Sequence, residues 1–175
     1  MTLTIIVVVA IVLVVFILGG IASRPGEWYR NLKKPSWNPP NWAFGPAWTI
    51  ILSLAGAAAV FAWTAAADGG EQTRVAVLFA INIFFYVIWS PLFFAARRPD
   101  WALAEVPFLW LSILALIVGL WDISSTASWL LVPFLLWVTF AAFLNWRIVR
   151  LNAPFGSKAE VPSHALHGEH ARERR

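Results

Sequence analysis

Twelve tryptophans occur in 175 residues, and where they fall is the feature of this chain that carries chemistry. An indole offers a broad apolar face and one N–H donor, so several indoles brought together suit stacking on a flat apolar guest. The densest run is WNPPNWAFGPAWT at 37–49, aromatic and proline-rich. Other chemistries lack their residues. There is no cysteine, and His164, His167 and His170 all lie near the C-terminus, so a haem held by an axial His or Cys inside the apolar body is excluded. Without cysteine, disulfides are also ruled out. No nucleophile elbow, phosphate loop or paired-carboxylate motif is present, which removes conventional hydrolase and nucleotide chemistry.

The elements that must position these rings follow from composition. The chain is 60% hydrophobic and 13% charged, with a mean hydropathy of +0.71, and its preferred solvent is lipid. Apolar runs at 3–22, 43–66, 74–96, 101–121 and 125–148 each reach the length of about 20 residues that a helix needs to span a bilayer. They are too long and unbroken for the alternating strands of a membrane barrel. The expected fold is all-α, a five-transmembrane-helix bundle in one domain over 1–151, followed by a basic tail at 152–175 that reads as disordered. The first run lacks a basic leader and exceeds the apolar core of a signal peptide, so it is expected to be retained as a helix.

Lys and Arg divide unevenly between the two ends of such a bundle. Arg24, Arg30, Lys33, Lys34, Arg97, Arg98, Arg147, Arg150, Lys158, Arg172, Arg174 and Arg175 share one end, and Arg74 alone takes the other. The positive-inside rule then places the N-terminus outside and the 23–42 loop and the tail in the cytoplasm, as expected for an integral protein of a bacterial cell membrane. The same bias accounts for the basic tail through topology and lipid headgroups, so no nucleic-acid partner is expected.

Depth separates ordinary tryptophans from unusual ones. Trp101, Trp121, Trp129 and Trp146 fall at helix ends, with Trp63 another candidate, and fit the interfacial belt. Trp48, Trp89, Trp110 and Trp137 fall deeper and are not explained by a belt. With Trp37 and Trp42 from the loop they are candidates for an aromatic chamber opening toward the cytoplasm, with Tyr29, Asn38, Asn82, Tyr86 and Asn145 as polar contacts. Pro46, Pro91, Pro107 and Pro133 place one proline in each of the last four spans, and kinked helices leave space between them. Glu105 follows Asp100 by about one turn at a helix start, where the dipole favours acids; Ser124, Ser125 and Thr126 are candidate caps for the last helix. Without a buried chain of charges, an ion-coupled pump or channel is not expected.

The chain resembles the TspO/MBR family, the tryptophan-rich sensory proteins related to the mitochondrial translocator protein. The resemblance rests on EWYRNLKKPSWNPPNWAFGPAWT at 27–49, WSPLFF at 89–94, PFLLW at 133–137 and FLNWRIVRLN at 143–152. It implies a five-helix bundle, often dimeric, that binds porphyrins such as protoporphyrin IX beneath the loop between the first two spans. Carried onto matching positions, the binding residues are Tyr29, Trp37, Asn38, Trp48, Trp89, Phe93, Trp137 and Ala141. Departures add Leu52 and Phe134, which stand where the family usually has tyrosines, and Tyr86 with Asn82, which replace an Asn and a Gln. Trp146 precedes Arg147 where the cholesterol pattern wants tyrosine, so cholesterol is not expected.

The resulting expectation is a membrane protein that binds a tetrapyrrole or another hydrophobic small molecule as sensor, scavenger or carrier, with no required cofactor and no metal. Its other partners are membrane lipid and a possible second copy through small residues such as Ser53, Gly56, Ala57 and Ala59. Two rivals stand beside it. One is light- and oxygen-dependent porphyrin degradation, with Trp48 and Trp137 as redox-active indoles; the other is a non-catalytic membrane scaffold.

Overall fold

The computed structural model describes residues 2–22 and 26–155. Among the described residues there are five long helices and one short one: α1 (Thr2–Ala22), α2 (Glu27–Asn31), α3 (Asn41–Ala65), α4 (Gly69–Ser90, continued by a π turn over Pro91–Ala95), α5 (Pro99–Gly119) and α6 (Ser125–Asn152). No strand occurs among the described residues. The five long helices are apolar and long enough to cross a membrane. Of the tail expected to be disordered over 152–175, Asn152 instead closes α6, and residues 156–175 lie outside the described residues.

Several helices run past their hydropathic limits. α4 starts at Gly69, not near Arg74, because Asp68 accepts from the Glu71 N–H (2.8 Å) while the Glu71 carboxylate accepts from the Ala67 N–H (2.7 Å). This reciprocal cap makes the polar segment GGEQTR helical, which a search for apolar residues overlooks. α6 is capped by Ser124, whose Oγ accepts from Ala127, and continues through RIVRLN to Asn152. α5 opens on Pro99 after Arg97, a non-glycine residue at φ 53° that reverses the chain out of the π turn.

The core is deepest between α5 and α6, where Ile113, Leu116, Leu120, Leu131 and Val138 are fully enclosed, and Ala58 and Ala62 bring α3 against them. Lipid supplies no hydrophobic drive between helices, so close approach and polar pairs must hold them. Asn82 Nδ2 donates to Ser112 Oγ (2.9 Å) between α4 and α5. Ser128 Oγ donates to the Ile117 carbonyl (2.8 Å), and Trp110 Nε1 to Thr139 Oγ1 (2.8 Å), between α5 and α6. Asn145, with its amide oriented to donate to the Pro99 carbonyl and accept from the Leu103 N–H (3.1 Å each), ties α6 to the start of α5. Glu105 lies on the same enclosed face of α5, and neither of its carboxylate oxygens has a partner among the described residues. It is therefore more deeply placed than a residue that only answers a helix dipole.

Side-chain pairs at both ends agree with an antiparallel order of spans. Arg74 meets Asp122 through both carboxylate oxygens (2.9 and 3.2 Å), joining the start of α4 to the α5–α6 turn, and this partner holds the Asp122 carboxyl below its ordinary pKa. At the other end Asn152 accepts from the Lys33 N–H and donates to the Lys33 carbonyl, both at 2.8 Å, fastening the α2–α3 loop to the end of α6. α1 sits against α3 and α4 and turns most of its apolar surface outward. It approaches α3 at Gly56, where a Cβ would stand 2.9 Å from Val12 Cγ2.

Two predictions follow from these contacts. Gly56→Leu forces α1 off α3 because Val12 is branched and cannot swing aside; overpacking of this kind costs about 1–3 kcal/mol, and thermal unfolding in detergent will show a lowered midpoint, while Gly45→Leu, in open space, will not. Asn152→Ala removes both bonds to Lys33 and about 1 kcal/mol of closure, so amide exchange over residues 27–40 rises roughly five-fold with exchange in α5 unchanged.

Candidate functional site

Beneath the α2–α3 loop lies a chamber of about 300 Å³. Its roof is Tyr29, buried because the one-turn α2 lays it on the π turn: the ring meets Phe93 at 6.1 Å and Phe94 at 5.4 Å. Lys34 curls back to donate from Nζ to the Tyr29 carbonyl (2.6 Å) and rests over the Tyr29 ring at 4.3 Å. Burial raises the Tyr29 pKa and lowers that of Lys34. The roof thus presents a neutral phenol and a partly desolvated cation.

The walls are edge-to-face aromatics. Trp48 on α3 stands 6.2 Å from Trp137 on α6 at 83°, and 5.2 Å from Tyr86 on α4 at 73°. Two indoles at right angles form a corner in which a planar guest stacks on one ring and meets the edge of the other. Trp89 and Phe93 stack at 5.2 Å along the neighbouring wall, and Phe44 closes on Trp137 at 6.0 Å. The indole N–H of Trp137 is buried and has no acceptor among the described residues, which leaves one donor available to an acceptor on a guest. Gly19 and Gly20 give α1 a low surface on this side; a Cβ at Gly19 would stand 3.0 Å from Tyr86 Oη.

Seven of the expected residues line this chamber: Tyr29, Trp48, Tyr86, Trp89, Phe93, Trp137 and Ala141, together with Asn145 from the polar set. Others fall elsewhere. Trp37 is not among the lining residues; it is 42% exposed and stacks on Phe143 at 5.4 Å. Asn38 turns its amide nitrogen to the Pro39 carbonyl (2.7 Å), and its side-chain oxygen is buried without a partner among the described residues. Leu52 and Phe134 line a different cavity, on the far side of Tyr86, as does Asn82. Two of the wider candidates are corrected: Trp42 is 75% exposed, and Trp110 spends its N–H on Thr139 between α5 and α6, outside the lining. Trp63, near the end of α3, packs on the core and lines that second cavity.

Sequence reasoning missed Phe16, Gly19, Phe44, Leu144 and Ile148 in the lining. Of these only Gly19 had a signal, a glycine pair interrupting an otherwise large-residue helix.

Histidine and cysteine contribute nothing to this lining, and no group of three or more His, Cys, Asp or Glu able to hold a metal occurs among the described residues. What the arrangement offers is stacking area, the unpartnered Trp137 N–H with the Tyr29 and Tyr86 hydroxyls as further polar groups, and a basic roof. Comparison with known proteins agrees with the architecture. The TspO/MBR family profile matches residues 6–151. The chain is 39% identical over 130 residues to the tryptophan-rich protein TspO of Chlorobaculum tepidum, covering 74% of this chain and 82% of that one. It is 38% identical over 133 residues to the tryptophan-rich sensory protein of Cereibacter sphaeroides, covering 76% and 82%. To the human translocator protein it is 33% identical over 137 residues, covering 78% and 81%. With five membrane-length helices in the expected order and a matched region that spans all of them, this chain is an integral membrane protein belonging to the TspO/MBR family.

Proposed function

We propose that the chamber under the α2–α3 loop binds a porphyrin-like tetrapyrrole, and that the protein acts as a sensor, scavenger or carrier of such molecules. The observation that carries this reading is the perpendicular Trp48–Trp137 pair beside an unpartnered Trp137 N–H in a roofed apolar void. A planar macrocycle stacks on the Trp48 indole and offers an acceptor to the Trp137 N–H, while its acidic substituents face Lys33 and Lys34 in the roof. The void lies at the small end of the range of about 300–1,000 Å³ for ligand pockets, and a substituted macrocycle exceeds it. Binding therefore includes lifting of the roof, for which the Lys33–Asn152 pair of bonds is the fastening to be released. With the Lys and Arg bias at the loop end, the chamber opens toward the cytoplasm.

Titration of the purified protein with protoporphyrin IX, read by tryptophan fluorescence, will give saturable quenching. Trp137→Phe keeps the packing but loses the N–H and part of the stacking area, and weakens binding by about 1–2 kcal/mol, roughly 5- to 30-fold. Trp121→Phe, at the far end, leaves it unchanged. Unsaturable quenching, or equal affinity in all three proteins, contradicts the reading. The same two indoles would serve oxidative degradation of a bound ring, and illumination in air separates the two: under passive binding the porphyrin spectrum persists.

A further inference from the structure

A second cavity, of about 440 Å³, lies between α1, α3 and α4, toward the end of the bundle away from the roof. It exists because three helices meet there through small side chains: α1 touches α3 at Gly56, and the slot beside that contact is edged by Ala59 and Ala80. Along α4 its lining runs from Val75 to Tyr86, about 16 Å at 1.5 Å per residue, so the cavity is elongated along the helix. That elongated, almost wholly apolar lining suits an extended alkyl chain.

Tyr86 is the lining residue this slot shares with the chamber. Its ring leans on Trp48 and on Phe134 (6.3 Å), making the partition between the two voids. One polar side chain is placed deep in the slot. Asn82 is only 5% exposed; its Nδ2 is committed to Ser112, and its Oδ1 accepts no hydrogen bond among the described residues. Asn82 lines the slot, and a carbonyl oxygen with no partner inside the protein can accept from a donor that a guest brings there.

We propose that this slot is a second binding site, for a slender alkyl molecule carrying one hydrogen-bond donor, such as a long-chain alcohol, whose hydroxyl pairs with Asn82 Oδ1. The donor end then lies about 20 Å along α4 from Gly69, near the middle of the span, and the chain extends back toward the end remote from the roof. A phospholipid acyl chain shares the shape but brings no donor to that depth. The site does not depend on what the chamber holds.

The test is photolabelling of the protein in phosphatidylcholine nanodiscs with a diazirine-bearing hexadecanol, mapped by mass spectrometry. Labelling of Val12, Ala59 and Phe79 will saturate and will be displaced by hexadecanol but not by hexadecane. Ala59→Leu, which fills the slot, abolishes the saturable labelling while leaving the protoporphyrin titration intact. Asn82→Leu weakens it about ten-fold, whereas Ser112→Ala, which breaks the Asn82–Ser112 bond but spares the Asn82 oxygen, does not; the Ser112 variant separates loss of the acceptor from loss of helix packing. Labelling that never saturates, that spreads evenly to lipid-facing residues such as Leu136 and Phe143, or that hexadecane displaces equally well, overturns the proposal.

Discussion

The contact on which both cavities depend is the set of rings around Trp48. Its indole meets Tyr86, Phe134 and Trp137 at 5.2, 6.2 and 6.2 Å, each near perpendicular, so one side chain from α3 fixes the spacing of α4 and α6. Edge-to-face rings hold helices apart while remaining in contact, because the shared edge is narrow and the flanking faces stay uncovered. On one side the uncovered faces become the chamber; on the other, Tyr86 and Phe134 turn toward the slot beside α1. A smaller residue at 48 would let the helices close, and a polar one would lack a partner.

Around this node the bundle obeys the rule that lipid imposes on polar groups. Asn82, Ser112, Ser128, Trp110 and Asn145 each bridge two helices, and only the Trp110–Thr139 bond among these lies at the exposed surface. Against that background the exceptions carry meaning. The Asn38 oxygen, both Glu105 oxygens and the Trp137 N–H are buried without a partner among the described residues, and the Asn82 oxygen accepts no bond there. Of these residues Trp137 and Asn82 line the voids, where a guest can supply the missing partner.

The number of spans, their antiparallel order and the deep position of Trp48, Trp89 and Trp137 were legible in the sequence, since all three depend on length and depth, which a count along the chain supplies at 1.5 Å per residue. Azimuth was not. In a soluble helix the polar face reveals the buried one, but here lipid accepts every apolar face, and so Trp110, at the right depth, points between α5 and α6 and not into the chamber. The same gap explains Leu52 and Phe134: their positions were right along the helix, yet they face the slot on the other side of Tyr86. Helix starts were missed where they rest on polar caps, as at Asp68 and Glu71, because hydropathy discounts the residues that make a cap. The roof was legible only through the resemblance of residues 27–49 to a known family; the Asn152–Lys33 fastening joins positions 119 apart, and nothing local announces it.

The central claim is that Trp48 and Trp137 form a corner that receives a flat guest beneath the loop. Its most direct measurement is the indole ¹⁵N–¹H spectrum of the protein during addition of protoporphyrin IX. The ring current of a stacked macrocycle will move the Trp48 and Trp137 indole signals by far more than those of Trp121 and Trp129, the paired rings at the opposite end of the bundle. Equal shifts at both ends, or movement of Trp121 and Trp129 alone, would contradict it.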